Sequence, residues 1–398
     1  MIARAPYLFL LLIIIPDLYF DLHYWRRRQP QQRFVRWLPT IVLVIYTIIL
    51  TYEKNFIPDN PTILYIYLLL LGLIAIPKFV YMLFSITGLS FCKLLRKKNR
   101  SALPLRSAKN YGNLIGLLVF PVIWFILLYG SFIGFQKLEV NRHSYASPDL
   151  PAAFDGYRIA IFSDAHIGTF TGKNQWILQR AIDSINALRP DMIVFTGDLQ
   201  NIHPQEIYEH MDILSSLKAK DGVYSVLGNH DYAKYVDCSE AQKVANYRET
   251  ISLEKQLGWT ILLNEHRLIQ RDKSRIVIAG MENDGDGTHF PQNGNIPKTL
   301  KGVDKKDFIL MLEHDPSSWR RKIIPDGRSQ LTLSGHTHAM QFKIGSWSPL
   351  ALTGKEWNGW YQEGKQSLFV TAGLGGLIPF RFGATGEIVL LTLKKQTE

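Results

Sequence analysis

The chain has 398 residues, enough for two or three domains. Its only two cysteines, Cys92 and Cys238, fall in different segments, which excludes a disulfide framework and a cysteine-based zinc site. Lys and Arg exceed Asp and Glu by 11, but residues 1–136 hold 15 basic against 4 acidic side chains while residues 137–398 hold 30 of each, so the basic excess belongs to the first third and nucleic acid is not an expected partner.

Four apolar stretches open the chain, near residues 5–24, 37–52, 62–84 and 112–135. A spanning helix needs about 20 mostly apolar residues. The third ("TILYIYLLLLGLIAIPKFVYMLF") and fourth meet that; the second is short, and Pro16 and Asp17 interrupt the first. A cleaved signal peptide does not fit the first stretch, because its basic cluster follows the apolar run. Residues 1–136 therefore read as a helical transmembrane anchor of about four spans, and residues 137–398 as a separate domain. Asp17 and Lys78 are expected near the membrane interface, with their charged ends reaching out of the hydrocarbon.

The loops set an orientation. Residues 21–36 carry five arginines, residues 86–111 seven basic side chains, and residues 53–61 one. The positive-inside rule places the first two loops in the cytoplasm, and everything after residue 136 outside it. The second domain is therefore expected on the extracytoplasmic side of the membrane.

From residue 157 the pattern alternates. "YRIAIFSDAH" (157–166), "DMIVFTGD" (191–198), "GVYSVLGNHD" (222–231), "DFILMLEHDP" (307–316) and "QLTLSGHTH" (330–338) read as buried strands ending in polar residues. "KNQWILQRAIDSINALR" (173–189) and "PQEIYEHMDILSSLKA" (204–219) have helical spacing, and "SLFVTAGLGG" and "EIVLLTL" near the end read as further strands. Strands separated by helices predict layered α/β architecture.

Each strand ends in a side chain able to hold a metal: Asp164 and His166, then Asp198, then Asn229 and His230, then His314, then His336 and His338. The carboxyl ends of strands are where sites assemble in α/β sheets. Carboxylates, imidazoles and an amide carbonyl suit Mn, Fe or Zn better than Ca. Even seven of these eight groups are too many for one tetrahedral ion and suffice for two divalent ions sharing a carboxylate, an arrangement that clamps a phosphate and activates water.

At this point the chain resembles the calcineurin-like metallophosphoesterase superfamily, through "DAH" (164–166), "GD" (197–198), "GNHD" (228–231), "EHDP" (313–316) and "GHTH" (335–338), in order over about residues 155–395. The tail "TAGLGGLIPFRFGATGEIVLLTL" (371–393) resembles the membrane-anchored bacterial YkuE-like branch. The resemblance implies a four-layer αββα sandwich and a metal-dependent phosphoric ester hydrolase, a monoesterase, phosphodiesterase or pyrophosphohydrolase, working by in-line attack of a metal-bound water. It implies Asp164, His166 and His338 on the first ion, Asn229, His314 and His336 on the second, and Asp198 bridging. His230 would protonate the leaving oxygen, oriented by Asp231. "GHTHAMQ" (335–341) departs from the relatives' G-H-T-H-G-G-Q, and Met340 in place of a small residue is expected to reshape the pocket rim.

Arg381 is read as a structural arginine pairing with backbone carbonyls rather than a phosphate contact. His203, His210, His266 and His289 are read as surface residues. "EWNGWY" (356–361) reads equally as a loop anchor or as the border of a lipid-facing groove. The membrane anchor favours a lipid-linked or envelope phosphate as substrate. A UDP-2,3-diacylglucosamine-type pyrophosphohydrolase is the alternative. A transporter is disfavoured by the lack of a charged pathway, and a non-catalytic membrane binding protein by the complete ligand set.

Overall fold

The computed structural model describes residues 5–25, 30–52, 61–99, 110–233, 235, 238–288 and 290–396. The chain divides into two compact units, Met1–Gly130 and Ser131–Glu398. Half of the twelve basic residues behind the cytoplasmic assignment, at 26–28, 100, 106 and 109, lie outside the described residues, as do 53–60 and His289.

In the first unit the apolar runs form helices α1 (Ala5–Phe20), α2 (Arg33–Thr51), α3 (Pro61–Asn99) and α4 (Tyr111–Phe132). Four stretches, Pro6–Trp25, Arg33–Thr51, Thr62–Leu94 and Tyr111–Gln136, are long and apolar enough to cross a membrane. Helices satisfy their backbone groups internally, as the bilayer requires. Asp17 and Lys78 depart from the expectation of interfacial charges. Asp17 is fully buried, Lys78 Nζ donates to its Oδ2 at 2.7 Å, and Thr40 Oγ1 donates to the same oxygen. The pair closes inside the bundle because α1 and α3 pack together and a buried charge needs a partner. Removing one partner of a buried pair costs roughly 3–5 kcal/mol. Asp17→Ala should therefore lower the detergent-solubilised chain's thermal midpoint clearly more than the double change Asp17→Ala, Lys78→Met does; equal losses would show that the pair does not hold the bundle.

The second unit has twelve strands: β1 (Leu138–Ser147), β2 (Arg158–Phe162), β3 (Met192–Phe195), β4 (Val223–Ser225), β5 (Thr260–Ile261), β6 (Glu265–Arg271), β7 (Ser274–Gly280), β8 (Phe308–Leu312), β9 (Leu331–Ser334), β10 (Gly359–Glu363), β11 (Gln366–Val370) and β12 (Gly386–Lys395). They form two mixed six-stranded sheets, ordered β1-β12-β2-β3-β4-β5 and β10-β11-β9-β8-β7-β6. The runs β2-β3-β4 and β9-β8-β7 are parallel.

Side-chain alternation along each strand builds the layers. Ile159 and Ile161 of β2 join Met192, Val194, Ile276, Ile278, Leu310 and Leu331 in a core between the sheets. Ala160 and Phe162 point the other way, against helix α5 (Gln175–Ala187), through Ile177, Leu178 and Ile182. On the outer face of the second sheet, Val277, Ile309 and Met311 meet Trp319, Ile323 and Leu300. The result is the expected four-layer αββα sandwich. Residues 204–219, expected as one helix, form two short ones, Gln205–Tyr208 and Met211–Ser215. The break falls at His210, which is fully buried, contrary to its reading as a surface residue, and burial lowers its pKa.

Candidate metal centre

The five strand ends converge. β2, β3 and β4 present Asp164, His166, Asp198 and Asn229 from one sheet, and β8 and β9 present His314, His336 and His338 from the other. Two groups have ligand atoms all within 4.8 Å of one another: Asp164, His166, Asp198 and His338, and Asp198, His314 and His336. Asp198 belongs to both. His166 Nε2 lies 3.2 Å from His338 Nε2, and His338 Nε2 lies 3.4 Å from Asp164 Oδ1. Asp198 Oδ2 lies 3.2 Å from His314 Nε2 and 3.6 Å from His166 Nε2. Asn229 Oδ1 faces His336 Nδ1 at 2.8 Å and His314 Nε2 at 3.2 Å, while its Nδ2 donates to the Tyr235 hydroxyl at 2.9 Å.

The backbone holds this geometry under strain. Asp164, His166, Asp198, His336 and His338 all have left-handed φ, between 44° and 74°. Such conformations persist where the surroundings over-determine them, and they cluster at functional sites. Two glycines permit the close approach: a Cβ on Gly228 would strike the Asp198 carboxylate, and one on Gly335 would strike Ser163 and the Asp164 carboxylate.

The electrostatics separate the imidazoles. Burial holds His166 well below the usual histidine range, with the His230 and His338 rings adding to it, and lowers His338 to about 4. Burial opposes charge on His314 too, but the Asp198 carboxylate outweighs it and raises His314 to about 10. Burial alone would raise Asp198; the His314 and His230 imidazoles overcome it and hold the carboxyl well below its ordinary range. The donor set fits divalent cations: two carboxylates, four imidazoles and an amide oxygen converge, and His314 is presented through Nε2 because its Nδ1 meets the Thr196 carbonyl at 2.7 Å. A lone pair of neutral imidazole nitrogens at the His166–His338 distance is suited to sharing one cation.

His230 lies beside these groups. Its backbone N–H donates to Asp198 Oδ1 at 2.8 Å, and its ring packs edge-on to His166 with centroids 4.8 Å apart. Asp231 does not orient that ring. Its two carboxylate oxygens accept the backbone amides of Asp198, Leu199, Gln200 and Gly228 at 2.8–3.4 Å, tying the β3 and β4 turns together, and burial raises its pKa to about 7. The His230 ring is held instead by the Asn201 carbonyl, 2.5 Å from Nδ1. A backbone carbonyl has no sequence signature, so this partner was not foreseeable. Tyr235 and Asp315 were also missed. Asp315 Oδ2 lies 3.5 Å from His336 Nε2, and the acidic residue after His314 in "EHDP" was its only signal.

Arg381 is structural: fully buried, it donates to the carbonyls of Ala372, Gly375, Ala384 and Thr385. His203 is exposed, and His266 is half-buried with Nδ1 on the Thr299 carbonyl. In "EWNGWY", Trp357 packs on Ala339, Ala372 and Ala384 and its carbonyl accepts from Thr337 Oγ1, which anchors the loop beside the ligand turn. The side chains of Phe290, Pro316, His336, Leu350 and Trp357 border a cavity of about 330 Å³ at the second group.

Two sheets that bring Asp and His side chains from five strand ends to two groups sharing a carboxylate define a metallophosphoesterase-type hydrolase. The family model described as "Calcineurin-like phosphoesterase" matches residues 157–340, and one described as "Probable Calcineurin-like phosphoesterase, transmembrane domain" matches residues 2–135. The "Uncharacterized metallophosphoesterase YkuE" of Bacillus subtilis is 32% identical over 275 residues, 67% of this chain and 89% of that protein. A "Transmembrane protein with metallophosphoesterase domain" of Danio rerio is 26% identical over 327 residues, 79% of this chain and 70% of that protein. An uncharacterized metallophosphoesterase of Campylobacter jejuni is 28% identical over 331 residues, 79% of each. The chain belongs to the calcineurin-like phosphoesterase family, as an integral-membrane phosphoester hydrolase related to bacterial YkuE.

Proposed function

We propose that residues 137–398 hydrolyse a lipid-linked or envelope phosphoester on the outer side of a bacterial inner membrane, with residues 1–136 as the anchor. The observation that carries the catalytic part is the membership of Asp198 in both ligand groups. Asp164, His166 and His338 would hold one divalent cation, Asn229, His314 and His336 the other, and Asp198 both; Mn, Fe and Zn suit the donor set. When bound, the two cations supply charge to the phosphoryl oxygens and lower the pKa of a water. The protein's own work is to hold these groups rigidly through the strained turns, and to keep the His230 ring fixed through Nδ1 on the Asn201 carbonyl, so that Nε2 is the nitrogen that would deliver a proton to the leaving oxygen as the P–O bond breaks.

The test is activity of the metal-loaded full chain in detergent against monoester, diester and pyrophosphate probes, including phospholipid headgroups. Chelation should abolish turnover and Mn, Fe or Zn restore it; no turnover of any class under any metal would overturn the reading. The orientation is read separately, with carboxyl-terminal reporters active only outside or only inside. Twelve of the 15 basic residues in 1–136 lie in the two loops assigned to the cytoplasm, so the outside reporter should be active. An inside signal alone would reverse the topology and favour the UDP-lipid pyrophosphohydrolase.

A further inference from the structure

Immediately after His336 and His338 the chain exposes a concentrated apolar surface. Met340, Ile344, Trp347 and Leu352 are 56%, 58%, 44% and 81% exposed. Elsewhere from β1 onward, among the described residues, exposed large apolar side chains are scattered singly: Val140, Trp176, Tyr208, Val244, Leu268 and Trp360. Scattered ones are ordinary; four within thirteen residues are not.

The segment is braced. Ile344 and Trp347 exchange backbone hydrogen bonds at 2.9 and 3.1 Å around Gly345 and Ser346, so both apolar side chains sit at the neck of one tight hairpin. Phe342 stacks on Phe382 with centroids 5.6 Å apart, and the Lys343 amide donates to the Phe382 carbonyl at 2.7 Å. The Gln341 amide donates to the carbonyls of Ile378 and Phe380 at 3.0 and 2.7 Å, and Ser348 Oγ to that of Ala339 at 3.0 Å. The same brace fixes residues 377–382, whose Leu377, Ile378, Phe380 and Phe382 are half-buried and extend the apolar surface. Rigid exposure of Trp, Ile, Leu and Met in water has a cost that only an occupant offsets: full burial of such a side chain is worth about 1.5–3 kcal/mol.

We propose that residues 340–352 dock on the bilayer surface, Ile344, Trp347 and Leu352 entering the boundary between headgroups and acyl chains. A second protein is the weaker occupant, since a stable interface takes about 800 Å² and 20–30 residues from each partner and a hairpin with one helical turn offers far less. The bilayer is present wherever this chain is. The last apolar helix, α4, ends at Phe132 and β1 starts at Leu138, so only residues 133–137 lie between them and the effective concentration of lipid is high. Trp with aliphatic neighbours is the usual composition of such shallow contacts. Docking there brings His336 and His338, on the same turn as Met340, to the lipid surface, where a lipid-borne phosphoester is met without leaving the membrane. The docking rests on the membrane reading; only this last consequence rests on the phosphoesterase reading.

The experiment uses the full chain with Cys92→Ser and Cys238→Ser, one new cysteine at Ile344 or Leu352, and an environment-sensitive fluorophore, in nanodiscs with and without doxyl-labelled phospholipid. Lys273, exposed in the turn after β6, carries the reference label. Labels at 344 and 352 should be quenched severalfold more than the label at 273. Equal quenching at all three overturns the proposal, as does energy transfer between 352 labels of two copies without lipid quenching. Strong quenching at 344 and 352 in a chain that hydrolyses no probe would uphold the docking while sinking the phosphoesterase reading.

Discussion

Asp198→Asn is expected to strip both cations from the protein and to cut hydrolysis of any phosphoester roughly 10³-fold or more, about 4 kcal/mol of transition-state stabilisation. The size follows from position. Asp198 is the single residue common to both ligand groups, and its Oδ2 lies 3.2 Å from His314 Nε2 and 3.6 Å from His166 Nε2. Replacing it by an amide removes the shared negative charge and leaves one oxygen where two were used, Oδ1 being engaged by the His230 amide. The substitution is selective because Asn tolerates the left-handed backbone, φ 61° at this position, better than most residues. The backbone of residue 198 stays tied to Asp231 through its own amide. Metal content by mass spectrometry should fall from two per chain towards zero while the thermal midpoint changes little. A folded Asp198→Asn protein that keeps two metals and full rate would falsify the assignment.

The ligand positions were legible because each sits two to four residues past a short, almost wholly buried strand, and such strands announce themselves by their apolar residues. Less was legible where the sheet meets water. β6, "EHRLIQR", is an edge strand with mostly half-exposed residues, and nothing in its composition marks it as a strand. The helix Glu240–Gln256 was also missed: its residues are polar around most of the circumference, and its one signal is the Ser239/Gln242 capping pair. Pairings across the chain were illegible for a different reason. Asp17 and Lys78 are separated by 61 positions, and only the packing of α1 on α3 shows that they meet. Likewise "GNHD" places Asp231 beside His230 in sequence, but the turn aims the two side chains at different partners. Motif spacing identifies which residue types gather at a strand end; it does not say which neighbour each one faces.

His230→Ala is expected to keep its metals and to lose roughly 10²–10⁴ in kcat, the usual worth of a positioned acid. The metals should stay because His230 belongs to neither ligand group, and because its contact with Asp198 Oδ1 runs through the backbone N–H, which alanine retains. The ring is fixed by the Asn201 carbonyl on Nδ1, so that nitrogen carries the hydrogen and Nε2 is the one available for chemistry. Its role can be read from the leaving group. A p-nitrophenolate departs with little help, whereas an alkoxide needs a proton as the P–O bond breaks. The loss should therefore be large for alkyl phosphoesters and small for p-nitrophenyl ones, with KM little changed for both. Equal losses on the two substrates would show that His230 does not protonate the leaving oxygen, and metal lost in step with activity would make it a ligand.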